Sequence, residues 1–116
     1  MMFVDSNTKV FFVLGSTDMR KGIDSLSLIV SSHNINPLDG SLYVFCSKNR
    51  KMIKVLYWDK NGFALFQKRL DSDKFIWPKD SNQTIEITMT QLRWLLDGLN
   101  PISTSGYKQI FYKSVV

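Results

Sequence analysis

The chain has 116 residues and a mass of 13.4 kDa, the size of one domain. Its hydrophobic fraction of 44% excludes a disordered chain and suffices for a core without disulfide or metal staples. Fifteen Lys and Arg against ten Asp and Glu leave a formal charge of +5, which points to an acidic partner without naming one.

Residues 10–14 (VFFVL) form a continuous apolar run of β-favouring side chains, the pattern of a strand buried on both faces. A polar turn over 15–22 follows, in which Asp18 or Thr17 is the expected helix N-cap. Ile23, Leu26, Ile29 and Val30 recur at helical spacing and predict an amphipathic helix over about 21–32. Asn36-Pro37 and Asp39-Gly40 then mark turns.

Strands are predicted at 42–46 (LYVFC), 53–58 and 63–70, with a polar, basic connection at 47–51. Between the last two strands, Asp59-Lys60-Asn61-Gly62 fits either a type I turn with a Gly bulge or a two-residue primed turn on Asn61-Gly62. The two choices differ by one residue in register. Residues 75–77 read as a short edge strand stopped by Pro78, and 85–87 as a brief extended piece.

Thr88 and Gln91 have capping-box spacing, and Leu92, Leu95, Leu96 and Leu99 follow on one helical face. Gly98 is the expected stop, reinforced by Pro101. The stretch 109–112 fits either an added strand or a chain end. Together these elements predict an α+β fold in a single domain over 1–116: an antiparallel sheet with central β-hairpins and two amphipathic helices packed on it.

The chemistry-bearing residues are sparse. One His, one Cys and one Glu exclude the common zinc clusters, and a lone Cys46 excludes an intramolecular disulfide. His33 near a helix end and Cys46 inside an apolar strand read as a solvated residue and a small core hydrophobe, not as a nucleophile–base pair. Asp18, Asp24, Asp59, Asp97 and Glu86 are the carboxylates available for metal-dependent phosphoryl transfer, but caps, turns and helix ends already account for most of them. The six glycines follow no Walker or dinucleotide spacing, so neither a catalytic site nor a cofactor is expected. No apolar run approaches the roughly 18–20 residues of a membrane helix. The polar start with Asp5 is unlike a secretory signal, so the expected location is cytoplasmic.

The charge is concentrated. Between Lys48 and Arg69 stand seven cations (Lys48, Arg50, Lys51, Lys54, Lys60, Lys68, Arg69) and one anion, Asp59, for a net +6. The rest of the chain holds eight cations and nine anions, net −1. In either hairpin register Lys54 is expected opposite or diagonal to Lys68 and Arg69, and facing like charges are unfavourable unless something acidic covers them. Tyr43, Phe45, Tyr57, Trp58, Phe63 and Phe66 interleave with the cations, the mixture used to bind single-stranded or distorted nucleic acid. A solvated, aggregation-blocking edge over an aromatic core has the same composition. Trp94 lies about 100° per residue off the leucine stripe, so it either packs locally or anchors a partner.

Three blocks carry a family resemblance. The first is Thr17-Asp18-Met19-Arg20-Lys21-Gly22-Ile23-Asp24-Ser25-Leu26. The second runs from Gly40-Ser41-Leu42-Tyr43-Val44-Phe45 through Ile53-Lys54-Val55-Leu56-Tyr57-Trp58-Asp59 to Leu65-Phe66-Gln67-Lys68-Arg69-Leu70, with Phe75, Trp77 and Pro78 after it. The third is Gln91-Leu92-Arg93-Trp94-Leu95-Leu96-Asp97-Gly98-Leu99. Over about residues 8–100 the chain resembles the TnpB (second open reading frame) accessory protein of the insertion sequence 66 family, which is distinct from the RNA-guided nuclease sharing that label. The resemblance implies a non-catalytic accessory role in DNA transposition beside a separate transposase. The family's loop at 47–51 is usually denser in Arg than the Lys-rich Ser47-Lys48-Asn49-Arg50-Lys51 found here.

The expected DNA contacts are therefore Lys48, Arg50, Lys51, Lys54, Lys68 and Arg69, extended by Arg20 and Lys21. The alternative is a protein-interaction module that docks on the transposase through Trp94, Trp77 or Phe63 without touching DNA.

Overall fold

The elements run β1 (Val10–Val13), α1 (Ile23–Ser32), β2 (Leu42–Cys46), β3 (Met52–Asp59), β4 (Gly62–Arg69), β5 (Thr84–Ile87) and α2 (Met89–Leu96). The computed structural model describes residues 5–79 and 83–102; the stretch 109–112 lies outside them.

One five-stranded sheet has the order β4-β3-β2-β1-β5. Its pairs are antiparallel except β1–β2, which is parallel. The sheet is thus mixed where an antiparallel one was expected. Helix α1 supplies the reason: as the crossover between β1 and β2, it returns the chain to the same end of the sheet. Interior β1, paired on both sides, buries Val10, Phe12 and Val13, as its continuous apolar run predicts.

Strand alternation divides the core into two layers. On one face Val13, Tyr43, Phe45 and Leu56 pack with Leu26 and Val30 of α1. On the other, Val10, Phe12, Leu42, Val44, Ile53 and Val55 pack with Met89, Leu92 and Leu95 of α2 and with Phe75 and Trp77. Phe75 and Trp77 are buried without forming the expected edge strand. Their segment is held by individual bonds instead: Phe75 N donates to Arg50 O at 2.7 Å and Trp77 Nε1 to Gly15 O at 3.1 Å.

Helix α2 starts with the expected capping box: Thr88 Oγ1 accepts from Gln91 N at 3.1 Å, and Gln91 Oε1 accepts from Thr88 N at 2.8 Å. It ends in a Schellman motif. Gly98 N donates to Leu95 O, Leu99 N donates to Trp94 O, and Gly98 sits at φ 82. That reversal turns Leu99 off the leucine stripe and leaves it exposed. Helix α1 begins at Ile23 behind Gly22, with no side-chain cap, so neither Asp18 nor Thr17 is its N-cap. His33 caps the other end, its Nδ1 2.7 Å from Thr84 Oγ1, tied to β5 and not simply solvated.

Hairpin register is set by Asp59↔Gly62, with Lys60-Asn61 as the loop. The left-handed residue is Lys60, at φ 58, and not Gly62, so no Gly bulge forms. Trp58 pairs with Phe63, their rings edge to face at 5.1 Å.

Cys46 is fully buried, and that burial pushes its thiol up from the ordinary range against the weaker opposing pull of Arg50. The native protein is expected to leave Cys46 unmodified by an aromatic disulfide reagent at neutral pH, and to react stoichiometrically once unfolded in denaturant. Rapid native-state labelling would contradict this burial.

Candidate nucleic-acid interface

The cation-rich segment does not present one face. Lys54 pairs with Gln67, so Lys68, one residue further, points to the opposite side of the sheet. There Lys68 Nζ donates to Leu96 O at 2.7 Å, supporting the C-terminal end of α2. Lys60 stands at the hairpin tip, roughly 23 Å along the strands from the Met52↔Arg69 end.

Lys54 corrects the expected contact set most sharply. It is only 7% exposed. Its Nζ donates to Met19 O at 2.7 Å and Lys21 O at 2.9 Å. Lys54 is therefore a clamp on the 16–21 segment and is not open to a phosphate. Arg50 is half-buried at φ 64, with Nη1 near Ser47 O and Gly15 O at 3.3 and 3.5 Å, so it braces the turn. Trp77 is likewise no partner anchor: it is 8% exposed and stacked on Phe12 at 4.7 Å. Phe63 and Trp94 are half-buried.

The remaining cations converge. An open cleft of about 1010 Å³ is lined by the 16–19 segment and Lys21 on one wall and the 47–49 turn and Lys51 on the other, with Met52 and Arg69 completing the lining. Lys21, Lys48, Lys51 and Arg69 thus share one concave site. Three sets of bonds hold the walls. Lys54 ties Met19 and Lys21 to β3, Thr17 N donates to Cys46 O at 2.8 Å, and Trp77 and Arg50 both reach Gly15 O.

Within the second wall, Ser47 Oγ accepts from Lys51 N and Met52 N and donates to Asn49 Oδ1 at 2.7 Å. Asn49 Oδ1 also accepts from Lys51 N at 3.1 Å. This network keeps the turn that lifts Lys48 and Lys51.

Asp18 is the one carboxylate in the lining, and Arg20 engages both of its oxygens, the closest bond being 2.7 Å from Nη2 to Oδ2. Hydrogen bonding from Arg20 holds that carboxyl well below the usual carboxylate range. The pair cancels its own charge and leaves four cations to set the potential of the cleft.

Among the described residues, no three His, Cys, Asp or Glu side chains gather where they could hold a metal ion. No helix there is long and apolar enough to cross a membrane. Met19, Met52, Asn49 and Ser16 are site residues that charge counting misses, since none of them is charged. The available sequence signal was that the first block and the 47–51 loop both stood out, 21 or more residues apart, without any indication that they touch.

Residues 8–105 match the family described as "IS66 Orf2 like protein". Two proteins of Sinorhizobium fredii (strain NBRC 101917 / NGR234) are similar to the chain. "Uncharacterized protein y4hO" is 42% identical over 95 residues, covering 81% of this chain and 83% of that protein. "Uncharacterized protein y4jC" is 31% identical over 84 residues, 72% of each. No solved structure matches. With nearly all of the described residues inside the matched span, and both walls of the cleft within it, the chain belongs to the IS66 Orf2-like family.

Proposed function

We propose that the protein is a non-catalytic accessory factor for transposition of an insertion sequence, and that it contacts DNA through the cleft of Lys21, Lys48, Lys51 and Arg69, with Arg20 at the rim. Membership of the IS66 Orf2-like family supports the transposition role. The DNA contact is supported by one observation: three segments distant in sequence bring four cations to one concave site whose only carboxylate is already paired. Phosphates suit such a site because lysine ammonium groups on short, braced loops neutralise them with little reorganisation. The cognate transposase is the expected protein partner, with Phe63 and Trp94 as contact residues, and the cytoplasm the expected compartment.

Four phosphate contacts predict a slope of log affinity on log salt of about −3 to −4, or roughly a hundredfold loss between about 50 and 200 mM salt. The test is fluorescence anisotropy on element-end DNA. Lys48→Glu/Lys51→Glu is expected to weaken binding more than about tenfold and to flatten the slope by about 2 or more. Lys60→Glu, at the distant hairpin tip, is expected to change little. Undiminished binding by the double variant would sink the assignment, and pull-down of transposase at high salt without any DNA binding would favour the docking module.

A further inference from the structure

The cleft carries more information than its charge. Apart from the Ser16 and Thr17 hydroxyls, which both donate and accept, its free side-chain hydrogen-bonding groups are donors. Asp18 is consumed by Arg20, and Ser47 Oγ is consumed by Lys51 N, Met52 N and Asn49. Asn49 is held with its amide oxygen turned into the turn, while its amide nitrogen has no partner among the described residues. Lys21, Lys48, Lys51 and Arg69 add donors only. The side chains of Met19 and Met52, both half-buried, also line the cleft. Met19 packs into the α1-side core and Met52 begins β3, so both are a fixed part of the fold.

Cationic donors lining one cleft with two half-buried, polarisable thioethers fit a ligand that is anionic at one end and flat and weakly polar at the other. We propose that the cleft seats an unpaired nucleotide of a DNA strand. Its phosphates lie on the lysines and Arg69, its base lies against Met19 and Met52, and the Asn49 amide donates to a base or phosphate oxygen. This rests on the DNA-contact reading and narrows it to unpaired DNA. A duplex keeps its bases stacked inside and offers the cleft phosphates alone, leaving the methionines unused. The volume of about 1010 Å³ is at the upper end of compact ligand sites, room for one or two nucleotide units. Thioether sulfur makes favourable contacts with aromatic faces and adapts to their shape, so the site tolerates any base.

The test measures anisotropy of a labelled single-stranded oligodeoxynucleotide and of the same strand annealed to its complement, at one salt concentration. The single strand is expected to bind at least about tenfold more tightly, by analogy with the energy of one base contact. Met52→Thr is expected to lower single-strand affinity about two- to tenfold and duplex affinity by clearly less, measured at a temperature where urea denaturation shows the variant fully folded. Met52→Leu, which keeps an apolar side chain, is expected to retain single-strand affinity. Equal affinity for the two forms, or an equal loss on both in Met52→Thr, overturns the unpaired-nucleotide site while the DNA contact stands. No binding of either form overturns both.

Discussion

Trp77→Ala is expected to destabilise the protein by about 3–5 kcal/mol, the range for removing a buried aromatic side chain. Three losses combine. The indole is 8% exposed within the α2-side core, so its removal opens a cavity against Phe12. The stacking at 4.7 Å is lost. Finally, Trp77 Nε1 no longer donates to Gly15 O. Against a typical domain stability of about 5–15 kcal/mol, this consumes a large share. Trp77→Phe keeps most of the packing and loses the hydrogen bond, so about 1–2 kcal/mol is expected. Urea denaturation checks both: the midpoints should fall in the order wild type, Trp77→Phe, Trp77→Ala, at similar slope. A Trp77→Ala variant within about 1 kcal/mol of wild type would mean that the ring does not hold the 70–79 segment to the sheet.

Lys54→Met should lower stability by about 2 kcal/mol while loosening one wall of the cleft. The substitution nearly preserves the length and volume of the stem, which isolates the amino group. What it removes is a pair of short hydrogen bonds to Met19 O and Lys21 O, made across 35 and 33 residues of sequence. Two opposing effects set the size. Hydrogen bonds involving a charged group contribute about 1.5–3 kcal/mol each, but a buried cation has a desolvation cost that methionine avoids. The freed carbonyls belong to half-buried Met19 and exposed Lys21, where water can reach them, which keeps the net loss near the value of one such bond. Amide hydrogen exchange over 19–23 is the more specific readout, and protection there should fall more than in β2 or β3. Lys21 and Met19 are themselves cleft residues, so DNA affinity should fall as well, although Lys54 touches no ligand. An unchanged exchange profile would show that the 16–21 segment is positioned without the clamp.

The same residue illustrates how far sequence reasoning reached. Lys54 was counted among the phosphate contacts because it stands in a basic hairpin. Its charge was legible, but its burial was not, since burial depends on the 16–21 segment folding over the α1 side of the sheet. Lys68 is grouped with it on the expectation that either hairpin register sets Lys54 opposite or diagonal to Lys68 and Arg69. The observed Lys54↔Gln67 pairing sends Lys68 to the other face. Trp77 offered itself as an anchor because a three-residue edge strand stopped by Pro78 is too short for alternation to mark which side chain faces the core. By contrast, the capping box of α2 and its Gly98 stop depend on neighbours within a few residues, and these appear as expected.

Local physics written along the chain thus determined the elements, their apolar faces, the family and the concentration of charge between Lys48 and Arg69. Backbone propensities, capping and strand alternation act over a few residues and leave a pattern at those positions. Tertiary structure alone decided the parallel β1–β2 pair, the division of the cations between two faces, and the meeting of Lys21 with Lys48, Lys51 and Arg69 around two methionines. Those outcomes depend on register and on which segments cover the sheet, and both are settled by burial of side chains far apart in sequence.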